Sequence, residues 1–132
     1  MSKTFQNTDA YIISIEDISR IHNSDHMVGV KILTNRYEIS LSINDDSSCC
    51  ESWDYSKSEN FNIEELINAK ILSIKDKQYN EGETHGIELL IKVQKINGEL
   101  DEIKLFVENT HNGYYSHTYH IKYSDIEDFG EL

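Results

Sequence analysis

The sequence predicts an α+β fold: a mainly antiparallel, twisted β-sheet of about six or seven strands with one short α-helix. Three observations lead there. Apolar residues alternate with polar ones over several short runs, which is the period of a half-buried strand. Clusters of Asn, Asp, Ser and Gly separate those runs, as turns require. Helix-start signals occur at one place, ahead of Ile63.

The first strand is expected over Tyr11 to Glu16, where Tyr11, Ile13 and Ile15 share a face. The polar stretch Ser19 to His26, with Asn23-Ser24-Asp25, reads as a loop or turn. Met27 to Leu33 and Arg36 to Ile43 then form a hairpin around Thr34-Asn35. Tyr37, Ile39, Leu41 and Ile43 alternate with Glu38, Ser40 and Ser42.

Periodicity stops from Asn44 to Asn60, a long loop of polar and aromatic residues. Long irregular segments in compact domains are often functional. A helix should follow, with Asn62 as N-cap, Glu65 completing a capping box, and Phe61 and Leu66 as a hydrophobic staple. It is expected to end near Ala69, and Lys70 to Lys75 to be a strand. Lys77 to His85 reads as a polar loop.

Gly86 to Lys95 and Leu100 to Glu108 form a second hairpin, and Asn97-Gly98 predicts a type I′ turn between them. Thr110 to Gly113 is a further turn, and Tyr115 to Tyr123 the last strand. With no repeat or linker, residues 1–132 read as a single domain, in which 1–9 and 124–132 are expected to fray, the tail alternatively forming a short helix.

Composition bounds the function. The net charge is −12, from 24 acidic and 12 basic residues, of which Arg20 and Arg36 are the two arginines. No Lys/Arg cluster exists to neutralise phosphates, so neither nucleic acid nor an anionic membrane is expected as a partner. No stretch is long and apolar enough to span a bilayer, and the first residues lack the apolar core of a signal peptide. Cys49 and Cys50 are adjacent, a poor geometry for a disulfide, which points to reduced thiols in a cytoplasmic setting.

Two irregular segments hold the candidate site: Cys49 to Tyr55, and Asn109 to Tyr115. The Cys49-Cys50-Glu51 element lies in mid-chain. After a strand–helix–strand–hairpin span comes an element of Asn109, two further residues, and Asn112-Gly113-Tyr114-Tyr115, ahead of the last strand. This pair resembles a small uncharacterised family of Firmicutes phage and prophage proteins, and the resemblance covers the chain from Met27 onward. It implies a phage setting inside a bacterial cell, where small acidic domains counter host defence. It implies no mechanism.

The residues themselves allow several chemistries. Cys49 and Cys50 with His111, His117 or His120 would supply zinc-type donors. However, neighbouring cysteines on extended backbone point to opposite sides, as do His117 and His120, so neither a metal nor another cofactor is expected. Cys49 or Cys50 with His111 and Glu51 would make a thiol triad, but an acidic setting raises a thiol pKa and works against it. No phosphate-binding glycine loop or hydrolase motif appears.

A ligand-binding surface fits better. Trp53, Tyr55, Tyr114 and Tyr115 would stack on a planar group, while Asn109, Asn112 and Glu51 would read polar edges; Cys50 and His111 belong to the same ligand-binding set. Gly113 would allow close backbone approach. Each residue also has an ordinary structural use: Tyr114 and Tyr115 can start a strand, Asn112-Gly113 can be only a turn, and Trp53 can cap the core.

The expectation is a non-enzymatic anti-defence protein that sequesters a small nucleotide-derived signal, with the pocket shared across a homo-oligomer interface. One alternative is an acidic inhibitor that mimics nucleic acid and binds a basic host defence protein. Another is a Cys/His hydrolase of the same kind of nucleotide.

Overall fold

The computed structural model describes residues 2–5, 10–22, 24–45, 52–110 and 117–132. Ten strands occur among them: β1 (Ser2–Phe5), β2 (Ile12–His22), β3 (Asp25–Thr34), β4 (Glu38–Asn44), β5 (Ser52–Tyr55), β6 (Lys70–Glu81), β7 (Thr84–Gln94), β8 (Leu100–Thr110), β9 (Thr118–Tyr123) and β10 (Ile126–Glu131). They form two five-stranded sheets, ordered β1-β6-β7-β8-β5 and β10-β9-β4-β3-β2, with every pairing antiparallel. The expected antiparallel, β-rich fold is present, with more strands than the six or seven anticipated. The helix is a single turn, α1 (Ile63–Leu66).

The sheets pack face to face on one core. Alternation supplies it: Val30, Ile32, Ile39, Leu41, Ile43, Tyr119 and Ile121 come from one sheet. Ile74, Ile87, Leu89, Ile91, Ile103, Leu105 and Val107 come from the other. Polar side chains bridge the layers, with Gln78 Nε2 donating to Tyr119 Oη (3.0 Å) and Tyr123 Oη donating to Asp76 Oδ2 (2.9 Å). At one edge the sheets are joined through backbone. Ile12 N–H donates to Ala69 O (3.0 Å), Asn68 N–H to Ile12 O (2.7 Å) and Ile71 N–H to Ala10 O (2.8 Å).

Several segments expected to be irregular are ordered strand. Residues 19–26 belong to a long hairpin, and the expected turn is confined to its tip, where Ser24 takes a left-handed φ of 70° between β2 and β3. The stretch 77–85 is likewise strand up to Glu81 and again from Thr84. The tail is not frayed: residues 126–131 form β10 on β9, and Leu132 exchanges backbone hydrogen bonds with His117 (2.8 and 2.9 Å). At the other end residues 2–5 pair with β6, while 1 and 6–9 lie outside the described residues.

Two local expectations fail for physical reasons. Asn62 makes no side-chain cap bond, since its φ/ψ of −83°/82° differs from N-cap geometry and the helix is one turn long. The Asn97-Gly98 turn is not type I′: Gly98 alone has positive φ (90°), and Gly98 N–H donates to Lys95 O (2.9 Å). That is a three-residue hairpin loop closed by a left-handed glycine.

Candidate functional site

β5 lies inside the stretch that sequence periodicity leaves irregular, and it pairs with the end of β8. Ser52 faces Thr110, Trp53 faces Asn109, Asp54 faces Glu108 and Tyr55 faces Val107. The four chain positions that flank residues 46–51 and 111–116 therefore come together at one end of the sandwich. Ser52 and Thr110 are direct partners, and His117 Nδ1–H donates to the Asn44 carbonyl (2.9 Å).

Of the expected site residues, Trp53, Tyr55 and Asn109 are described, and they share one face of that end. The Trp53 ring stacks on Tyr55 (centroids 5.7 Å apart, 19° between planes) and meets His117 at 5.7 Å in a tilted arrangement. Both aromatics are half-buried against the core. Lys57 Nζ sits 5.1 Å from the Tyr55 ring centre, a cation–π contact. Asn109 is fully buried and its Nδ2 donates to Leu132 O (3.2 Å), tying β8 to the end of β10. Cys50, Glu51, His111, Asn112, Gly113, Tyr114 and Tyr115 lie outside the described residues, as does Cys49.

Burial of His117, Asn109 and Asn44 together is expensive unless hydrogen bonds compensate it. Two of them are held as described above. Asn44 Oδ1 is buried with no hydrogen-bond partner among the described residues. A buried acceptor left short of a donor costs about 1–3 kcal/mol, a loss that a donor from outside the described residues would recover.

A second group escapes sequence reasoning. Ser19 Oγ is 2.7 Å from His26 Nε2, and His26 Nδ1 is hydrogen-bonded to Asp45 Oδ2. Ser19 faces Val28 and His26 faces Ile21 across the β2–β3 hairpin, so the two are diagonal neighbours on one face. Asp45 follows β4, and its N–H donates to His26 O (3.0 Å), which fixes the carboxylate beside the imidazole. Ser58, three residues beyond Tyr55, donates from N–H and Oγ to Asp17 (2.9 and 2.7 Å), two positions before Ser19 on the same face of β2. Asp17 thus ties β2 to Ser58, and Asp45 follows directly on Asn44, whose carbonyl holds His117.

Elsewhere, the outer face of the β6–β8 sheet carries shallow grooves. One is lined by Lys77, Tyr79, Glu81, Glu88, Lys104 and Glu108, whose groups largely satisfy one another: Lys104 Nζ–Glu88 Oε2 is 3.1 Å and Tyr79 Oη–Glu108 Oε2 is 3.1 Å. Among the described residues no group of three His, Cys, Asp or Glu side chains is placed to hold a metal ion, and no helix is long and apolar enough to cross a membrane.

The architecture is that of an antiparallel β-sandwich whose aromatic and buried polar side chains gather at one end. The chain belongs to the family described as a domain of unknown function, DUF7448, whose model matches residues 10–121 and so spans both irregular segments. No curated protein and no solved structure matches it.

Proposed function

We propose that this protein is a phage- or prophage-type anti-defence protein that binds a small nucleotide-derived signalling molecule and withholds it from its receptor. The observation that carries this reading is the pairing of β5 with β8, which sets Trp53 opposite Asn109. It brings the flanks of the Cys49–Tyr55 and Asn109–Tyr115 segments side by side, although more than fifty residues separate them in sequence.

The Trp53–Tyr55 pair offers an aromatic face of the size a nucleobase requires. Lys57, beside Tyr55, is a cation within reach of a phosphate on a ligand stacked there. Glu51, Asn112, Tyr114 and Tyr115 would complete the recess, within one subunit or from a second copy. The CCE and NGYY elements would then mark Firmicutes phage members of the family that share this recess.

Trp53 is the single tryptophan, so its fluorescence reports occupancy directly. Titration with a panel of cyclic dinucleotides and adenosine nucleotides should quench it for at least one member. Native mass spectrometry should then show that ligand leaving chemically intact after heating. Trp53→Ala and Tyr115→Ala should each reduce retention by about tenfold or more. A ligand released as a cleaved product would favour the hydrolase instead. A salt-sensitive complex with a basic host protein, without small-molecule retention, would favour the acidic inhibitor.

A further inference from the structure

We infer that Ser19, His26 and Asp45 form a nucleophilic site able to cleave small carboxylic esters. The hydrogen bonds run in the order that such chemistry needs. A carboxylate oxygen can only accept, so the contact with Asp45 places the imidazole proton on His26 Nδ1. Nε2 of the neutral ring is then the acceptor, and it faces Ser19 Oγ at 2.7 Å. The carboxylate orients the ring, the ring withdraws the serine proton, and the oxygen becomes a nucleophile. The Asp45 backbone N–H bonded to the His26 carbonyl locks the orienting pair independently of the side chains.

Access matches the role. Ser19 is exposed, and the His26 and Asp45 side chains keep 41% and 34% of their surface open, so an ester can reach Oγ without the fold opening. β2 is the edge of its sheet, and alternate backbone N–H groups along it point away from β3. His26 turns its carbonyl to Asp45, so Met27 and Gly29 bond β2 through Arg20 and Ile18, and the N–H of Ser19 itself points away from β3, toward the side where negative charge on a carbonyl oxygen would need a donor.

The reaction balances with water as the second reactant. Ser19 Oγ attacks the acyl carbon while its proton passes to His26 Nε2. The imidazolium gives that proton to the departing alkoxide, releasing the alcohol and leaving an acyl ester on Ser19. Water, deprotonated by Nε2, then attacks the acyl carbon, and the carboxylic acid leaves as Oγ recovers a proton. Phosphate-linked nucleotides have no such carbonyl, so this activity does not consume the ligand of the proposed function and does not depend on it.

The test uses the full chain and two probes, a fluorophosphonate and p-nitrophenyl acetate. The fluorophosphonate should add one covalent mass to the protein, located on Ser19 by peptide mapping. Acetate release should fall by about tenfold or more in Ser19→Ala and in His26→Ala, and less in Asp45→Asn. Ser19→Ala should keep the wild-type circular dichroism and the nucleotide-induced fluorescence change, which separates failure here from failure of ligand capture. Absence of label on Ser19, label confined to other residues, or hydrolysis by folded Ser19→Ala at the wild-type rate would overturn the assignment.

Discussion

Tyr123 and Asp76 face each other across the core, and their hydrogen bond ties the two sheets together. Burial, and then the neighbouring Asp76 carboxylate, raise the Tyr123 pKa well above its ordinary value of 10.0. Tyr79 is raised in the same direction by burial and by Glu108. The folded pKa lies above the unfolded one, so the contribution of each tyrosine is complete below about pH 10 and is lost as pH rises through the folded value. Urea denaturation should therefore show a stability plateau up to about pH 9 and a fall beyond about pH 10 that Tyr123→Phe makes shallower. At neutral pH the same substitution removes a donor from a buried carboxylate and should cost about 1–3 kcal/mol in the denaturation midpoint analysis. At this scale the sequence was legible in part. Trp53, Tyr55 and Asn109 stand out because bulky aromatics and amides interrupt a polar stretch. Ser19, His26 and Asp45 do not, because their meeting depends on strand register, and each alone is an ordinary polar residue.

At the scale of the element, β3 shows how a neighbouring strand selects a residue. A Cβ on Gly29 would lie 2.0 Å from Leu41 O and 2.7 Å from Ser42 Cα, both backbone atoms that cannot step aside. Gly29→Ala should destabilise the protein by about 3 kcal/mol or more, measured by thermal or urea unfolding, whereas alanine at a surface strand position changes little. The strong hairpins were legible because alternation of apolar and polar residues matches the pleat. β10 was not, since Glu127, Asp128 and Glu131 give an acidic tail with no apolar alternation. Its order comes from backbone pairing with β9, from His120 Nε2–H donating to Glu127 (2.7 Å), and from the His120 ring stacked on Phe129 (4.4 Å). The long β2–β3 hairpin was hidden in the same way, by a polar run that reads as a loop until its register is known.

The whole molecule is held by pairings between distant parts of the chain. β1 joins β6, β4 joins β9 and β5 joins β8, so each must close a long loop before it gains contacts. Refolding after dilution from urea should accordingly take milliseconds to seconds, slower than for a helical protein of this size, when followed by stopped-flow Trp53 fluorescence. The net charge of −12 opposes compaction through self-repulsion. Raising sodium chloride from about 0.01 M to about 0.15 M shortens the Debye length from roughly 30 Å to roughly 8 Å and should raise the melting temperature. This topology was not legible in the sequence. Short strands with similar patterns can be ordered in many ways, and the division into two sheets follows from which faces bury each other.

β5 has four residues and a single strand neighbour, and it carries both aromatics of the candidate site. Its amides should exchange with deuterium far sooner than those of β7, because detaching it breaks few contacts and leaves the remaining layers intact. The aromatic surface can thus be uncovered and re-formed by a sub-global fluctuation. Anything that grips it would register first as slowed exchange at Trp53 and Tyr55, ahead of any change in the melting of the molecule.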